Sequence, residues 1–108
     1  MRIAVPTIGE TISSNINENL GRSPFIAIYD SEIQEYSFFI NPGFQLKDGS
    51  GLKAAEILVN NNTDILLTKE VGRKAYSLLM KEHIDIHLLN STSTVKSAIN
   101  KFLKKRGK

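Results

Sequence analysis

The amino-acid sequence predicts an α/β domain with three strands first, followed by alternating helix and strand, in the order β-β-β-α-β-α-β-α. Three observations predict it: three short β-prone apolar runs lie within the first forty residues, apolar residues recur at helical spacing from Leu52 onward, and further short apolar runs separate the helical stretches. Alternation of this kind calls for parallel strands joined by right-handed crossovers, with helices packed on the sheet. With 108 residues, 41% of them hydrophobic, the chain has material for one core and not for two, so residues 1–108 are read as a single domain.

The first element, Arg2, Ile3, Ala4 and Val5, reads as a short buried strand ended by Pro6, which has no N–H to give a ladder. A polar stretch over residues 7–19 reads as a long loop. Residues 24–30 and 35–40 are continuous β-prone runs, and the polar residues 31–34 between them make a hairpin. Asn41, Pro42 and Gly43 then break the chain. Gly49, Ser50 and Gly51 lead into Leu52, Ala55, Leu58 and Val59, the apolar face of the first helix, which three asparagines at 60–62 terminate. Residues 64–68 supply an apolar strand, and Val71, Ala75, Leu78 and Leu79 mark a second helix. Residues 84–89 form the last strand. Val95, Ala98, Ile99, Phe102 and Leu103 then make the clearest amphipathic stripe, with hydroxyls at 91–94 to cap it.

Composition removes several functions. Without cysteine there is no disulfide, no thiolate nucleophile and no protein thiolate for zinc or an iron-sulfur cluster. No segment reaches the ~18 consecutive apolar residues of a membrane helix, and the amino terminus lacks a secretory apolar stretch, so a cytoplasmic protein with no membrane partner is expected. Five of the positive charges lie at Lys101, Lys104, Lys105, Arg106 and Lys108, which leaves a net −2 on residues 1–100 out of the total of +3. The basicity therefore belongs to a helix end, where cations face the negative end of the macrodipole, and nucleic acid ranks last among the partners. No serine sits in a Gly-x-Ser-x-Gly elbow and the first strand carries no carboxylate, while Asp30 and Asp64 read as caps at the far ends of their strands. An enzyme is not expected.

Residues 19–30, Asn-Leu-Gly-Arg-Ser-Pro-Phe-Ile-Ala-Ile-Tyr-Asp, resemble the His-Phe-Gly-Arg-x-Pro-x-Phe-x-Ile-Tyr-Asp signature of the dinitrogenase iron-molybdenum cofactor biosynthesis family. The resemblance continues through Asn41 and Pro42, through residues 49–56, through residues 64–68, and through Val71, Gly72, Lys74 and Ala75. It implies a three-layer fold with a ribonuclease-H-like motif, built on a five-stranded mixed sheet whose second strand is antiparallel to the rest. It also implies a nitrogenase accessory protein that binds, stores or hands over iron-molybdenum cofactor or a related anionic metal cluster, with cluster donor or acceptor proteins as partners. Asn19 departs from the pattern, standing where the family commonly has histidine. A carboxamide oxygen is a weak, hard ligand, and no cysteine compensates, so a bound species is expected to be gripped as an anion.

In such a sheet the loops after strands one, three, four and five emerge along one edge, where ligands of open α/β sheets bind. That edge collects Thr7, Asn19, Gly21 and Arg22, then Asn41 with Gly49, Ser50 and Gly51, then Thr68, Lys69 and Gly72. The candidate cofactor-binding set is Asn19, Gly21, Arg22, Gly49, Ser50, Gly51, Thr68 and Lys69. The amino ends of all three helices also lie there, with free amides and positive dipole ends, and Lys53 adds charge. Each residue has a structural reading as well. The glycines can make a tight entry into the helix, and Arg22 can pair with Asp30 or Glu10. His83 is expected in a turn and His87 half-buried in a strand, roughly 13 Å apart at ~3.3 Å per residue, too far to share a metal. Tyr29, Tyr36, Phe38 and Phe39 read as packing or a subunit interface. A carrier at the basic edge leads. A protein-protein interaction module, in which the aromatic hairpin pairs with a second copy and the pocket is vestigial, comes next; a nucleic-acid-binding domain using the basic tail comes last.

Overall fold

A computed structural model describes residues 1–106 and contains the expected elements in the expected order. They are β1 (Arg2–Thr7), a 3-10 turn (Leu20–Arg22), β2 (Phe25–Asp30), β3 (Glu35–Ile40), α1 (Ser50–Asn60), β4 (Ile65–Thr68), α2 (Arg73–Lys81), β5 (Asp85–Leu88) and α3 (Val95–Arg106). Lys108, the end of the basic tail, lies outside the described residues. The five strands form one sheet in the order β3-β2-β1-β4-β5. β1 pairs with β2 and β2 with β3 in antiparallel fashion, whereas β1–β4 and β4–β5 are parallel, so β2 alone runs against the rest.

Side-chain alternation along the strands divides the core into two layers. On one face Ala4, Ile26, Ile28 and Leu66 meet Ala54, Ala55 and Leu58 of α1 and Ala75 and Leu79 of α2. On the other, Ile3, Val5, Ala27, Ile65 and Leu67 meet Val95, Ala98 and Ile99 of α3. Leu58 and Leu79 are wholly buried, each stabilising the fold by about 1.5–3 kcal/mol relative to exposure. Tyr29, Tyr36 and Phe38 pack on the α3 side, and Phe39 packs on the other, so the hairpin aromatics are packing residues. The Tyr29 and Tyr36 rings are 4.6 Å apart. Burial, and then the neighbouring Tyr29, push the Tyr36 phenol above its usual pKa. Asp64 accepts the Arg2 backbone N–H at 2.8 Å and Asp30 pairs with the Arg2 guanidinium at 3.3 Å, which places both carboxylates at the end of the sheet away from the helix amino ends. No helix among the described residues is long and apolar enough to cross a membrane.

Two features differ from the sequence reading. β1 continues through Pro6 to Thr7, because the register with β4 covers only Ile3 and Ala4, so Pro6 has no ladder donor to supply. The Pro6 carbonyl instead accepts the N–H of Asn17 at 2.9 Å. The polar stretch that follows is a folded insertion: Thr7 bridges Ile16, Asn15 bridges Thr94, and Ile16 is buried against the α3-side core.

Candidate functional site

The loop ends gathered at the carboxyl ends of β1, β3 and β4 are tied together by the 3-10 turn. Asn19 caps it, its Oδ1 accepting the Gly21 N–H at 2.9 Å. Gly21 lies so close to the entry of α1 that an added Cβ would be 2.6 Å from Gly51 N and 2.8 Å from Gly51 Cα. Gly49, at φ 78°, turns the chain into α1 through the left-handed region that favours glycine. These glycines therefore serve a backbone-to-backbone contact and a tight entry.

Asn41 organises the other side of the turn. It is 2% exposed and donates from Nδ2 to the carbonyls of Ser23 at 2.8 Å and Leu20 at 3.3 Å, while its Oδ1 accepts the Gly43 N–H at 3.1 Å. Arg22 donates to the carbonyls of Leu46 at 2.7 Å and Lys47 at 3.2 Å, holding the loop before α1. Its expected alternative, a pair with Asp30 or Glu10, is displaced because Asp30 pairs with Arg2 at the opposite end of the sheet. Thr68 is fully buried and donates to the Glu70 carbonyl at 3.0 Å; Lys69 reaches Glu18 at 3.3 Å. The Glu70 N–H donates to the Glu18 carbonyl at 2.8 Å, which fastens the first loop to the loop after β4. Glu18, Ser23 and the hub role of Asn41 are not readable in the sequence: Asn41 donates to carbonyls some twenty residues away, which carry no side-chain signature, and Glu18 meets Lys69 and the Glu70 N–H only once the first loop is folded against the loop after β4.

The three helix amino ends differ. α3 is closed: Val95 N–H donates to the Ser14 carbonyl and Lys96 N–H to the Ile12 carbonyl, both at 2.9 Å, and Ser97 N–H donates to Thr94 Oγ1 at 3.2 Å. The expectation of three free amino ends is thus corrected to two, because the first loop occupies the third. At α1 and α2 the cap positions are Gly49 and Gly72, and neither makes a side-chain cap. The two ends are neighbours, since a Cβ on Gly51 would stand 3.4 Å from the Ala75 Cβ. Two positive dipole ends with first-turn amides free of side-chain caps thus converge, with Lys53, Lys69, Arg73 and Lys74 on the same segments.

Among the described residues no group of three or more histidine, aspartate or glutamate side chains is arranged to hold a metal ion. His83 sits in the turn after α2 at φ 62°. His87 is exposed rather than half-buried, because β5 is an edge strand; its ring meets that of Phe102 edge-on at 5.0 Å. The donor set at the site is therefore backbone N–H and cationic side chains.

The family model described as dinitrogenase iron-molybdenum cofactor matches residues 1–105. The chain belongs to this family. Two solved structures of similar proteins share the fold. One is the apo form of the orange protein from Desulfovibrio gigas, at a TM-score of 0.90 and 27% identity, covering 97% of this chain and 88% of that one. The other is a putative NifB protein from Thermotoga, at a TM-score of 0.86 and 28% identity, covering 97% and 89%. An uncharacterized protein of Methanocaldococcus jannaschii is 25% identical over 93 residues, 86% of this chain and 78% of the relative. In this dinitrogenase iron-molybdenum cofactor domain, Asn19 caps the 3-10 turn, with its oxygen engaged by the Gly21 N–H.

Proposed function

We propose that this domain is a non-catalytic carrier that holds a compact anionic metal cluster, iron-molybdenum cofactor or a relative of it, as cargo at the paired amino ends of α1 and α2. The observation that carries the reading is the juxtaposition of two helix amino ends, both without side-chain caps and both entered through glycine. Backbone amides and dipole ends attract an anion without a protein thiolate. Ser50 and its neighbours in the first turn of α1 supply main-chain amides that no side chain caps, while Gly21 packs against Gly51 and Gly49 turns the chain into the helix. Lys69 and Arg22 contribute charge at the rim while bracing the loops on which they sit, and Asn19 and Thr68 fix the loop ends. Family membership supports the cargo class, and the absence of cysteine favours an electrostatic grip over ligation by the protein.

Anaerobic titration with iron-molybdenum cofactor, molybdate and sulfate tests this. Gly72 has φ −70°, ψ 161° and nothing within 4 Å of an added Cβ, so Gly72→Asp fits the backbone and sets a carboxylate on the α2 amides. Binding should be saturable, weaken as salt rises, and fall at least about tenfold in Gly72→Asp, corresponding to about 1.4 kcal/mol. Equal binding by the wild type and Gly72→Asp would remove the assignment to this site.

A further inference from the structure

The open flank of β5 lies apart from the paired helix ends, and its chemistry stands independently of the cargo reading. Among the described residues, β5 pairs with β4 on one side and with no strand on the other. Asp85 N–H donates to the Asp64 carbonyl at 3.0 Å and Leu89 N–H to the Thr68 carbonyl at 2.8 Å. Alternation along the strand therefore points the N–H and C=O of Ile86 and Leu88 outward. Such a row is matched by another extended backbone, and β5 carries no proline or lysine that would discourage one.

The two faces beside this edge differ in character. On the α2 face a cavity of about 860 Å³ runs along the strand, with Tyr76, Met80 and Leu88 on its floor; these are 47%, 50% and 68% exposed. Of its rim charges Lys69 is paired with Glu18 at 3.3 Å, and Glu70 and Asp85 leave this rim net negative, which disfavours acidic side chains on this face. On the α3 face a smaller cavity of about 210 Å³ has Phe102 at its base and Lys101 and Lys105 at its rim. Both cavities include His87 and Leu88, so they are the two sides of one unpaired strand.

We propose that β5 accepts an extended segment of a partner protein as a sixth strand, its residues alternating between apolar side chains that enter the Tyr76–Met80 groove and acidic side chains that face Lys101 and Lys105. Main-chain hydrogen bonds supply attachment, and the two unlike faces supply specificity. Charge selects this occupant over a second copy. Antiparallel pairing of β5 with itself places both α3 helices on the same side of the joined sheet, bringing Lys101 and Lys105 of each copy toward their counterparts, an unfavourable like-charge arrangement.

The probe is a fluorescently labelled seven-residue peptide of alternating valine and glutamate, titrated into the full chain and followed by anisotropy. It should bind saturably, at least tenfold more tightly than an alternating valine-lysine peptide and than a blocked isomer with all glutamates at one end. Leu88→Pro removes an outward N–H while leaving the ladder to β4 in place, and should weaken binding at least tenfold, as should Lys101→Glu combined with Lys105→Glu. N-methylation of alternate peptide residues makes the same test from the partner's side, without altering the protein. In the wild type, the amides of Ile86 and Leu88 should gain exchange protection when the peptide is added. Equal binding of the blocked and alternating glutamate peptides would overturn strand addition in favour of plain charge attraction. Concentration-dependent self-association abolished by Leu88→Pro would overturn the acidic partner in favour of a second copy.

Discussion

Adding one methyl group at Gly21 probes the contact on which the arrangement of the candidate site depends. The new carbon would stand 2.6 Å from Gly51 N, 2.8 Å from Gly51 Cα and 2.9 Å from Ser50 Oγ. Carbon contacts are most favourable at about 3.5–4.0 Å, so the turn and the start of α1 must separate by something near 1 Å. Two of the three obstructing atoms are backbone, and no rotamer change relieves them. Overpacking of this kind costs about 1–3 kcal/mol. Alanine returns about 0.4–1 kcal/mol by stiffening the unfolded chain, because Gly49 is the described glycine with positive φ and Gly21 is not. The net expectation for Gly21→Ala is a loss of up to about 2.6 kcal/mol, centred at about 1.3, seen as a lower urea midpoint at unchanged slope when unfolding is followed by circular dichroism. Gly72→Ala is the control: nothing lies within 4 Å of its added Cβ, so its stability should stay within about 0.5 kcal/mol of the wild type. If Gly21→Ala were as stable as Gly72→Ala, the backbone contact between the turn and α1 would not be what holds the site together.

Three further perturbations reach other parts of the same argument. Asn41→Ala strands the buried Ser23 carbonyl and the Gly43 N–H, while the Leu20 carbonyl keeps the Ser23 hydroxyl at 2.9 Å, so a loss of about 2–4 kcal/mol and a Tm lower by about 10 °C or more are expected in a thermal melt. Thr94→Ala removes the hydroxyl that accepts Ser97 N–H and should cost about 0.5–2 kcal/mol in chemical denaturation, with exchange at the Ser97 amide accelerated first. The Asp30 carboxyl is held below its ordinary pKa chiefly by the Glu32 N–H, against the opposing effect of burial, with further help from the Ile33 N–H, the amino terminus and Arg2. A folded pKa below the unfolded one gives stability that is present above the unfolded value of about 3.9 and is lost as pH falls through the folded value. Urea midpoints of wild type and Asp30→Asn should therefore differ by a constant amount from pH 5 to 7 and converge below about pH 4.

The strands and helices were legible because each carries its own period: Val95, Ala98, Ile99 and Phe102 recur at helical spacing whatever they pack against. The direction of β2 followed from the family resemblance, and β2 alone runs against the other strands of the sheet. What escaped the sequence are contacts made by backbone groups of distant segments. Nothing in Ile12 or Ser14 announces that their carbonyls close the amino end of α3. Arg22 suggests a carboxylate or an anion, yet it bonds to the carbonyls of Leu46 and Lys47, and any residues there would offer the same oxygens. Pro6 suggested a stop, but a proline is tolerated where the ladder has already parted, and the parting of β1 from β4 is a property of the sheet.

The first loop is where these missed contacts acquire a functional meaning. Its first half covers the amino end of α3, while its second half, through Asn19 and Gly21, braces the amino end of α1 without capping it. One insertion therefore sorts the three helices into one that is closed and two that remain available to an anion. Asn19 is the residue on which this turns. Its side-chain oxygen accepts the Gly21 N–H, which makes Asn19 part of the scaffold of the turn. A grip built from main-chain amides depends on shape, because every residue except proline supplies the same N–H. A substitution that alters the shape, Gly21→Ala, should for that reason weaken anion binding more than the removal of any single cation at the rim, whereas Gly72→Ala, which alters no contact, should leave it unchanged.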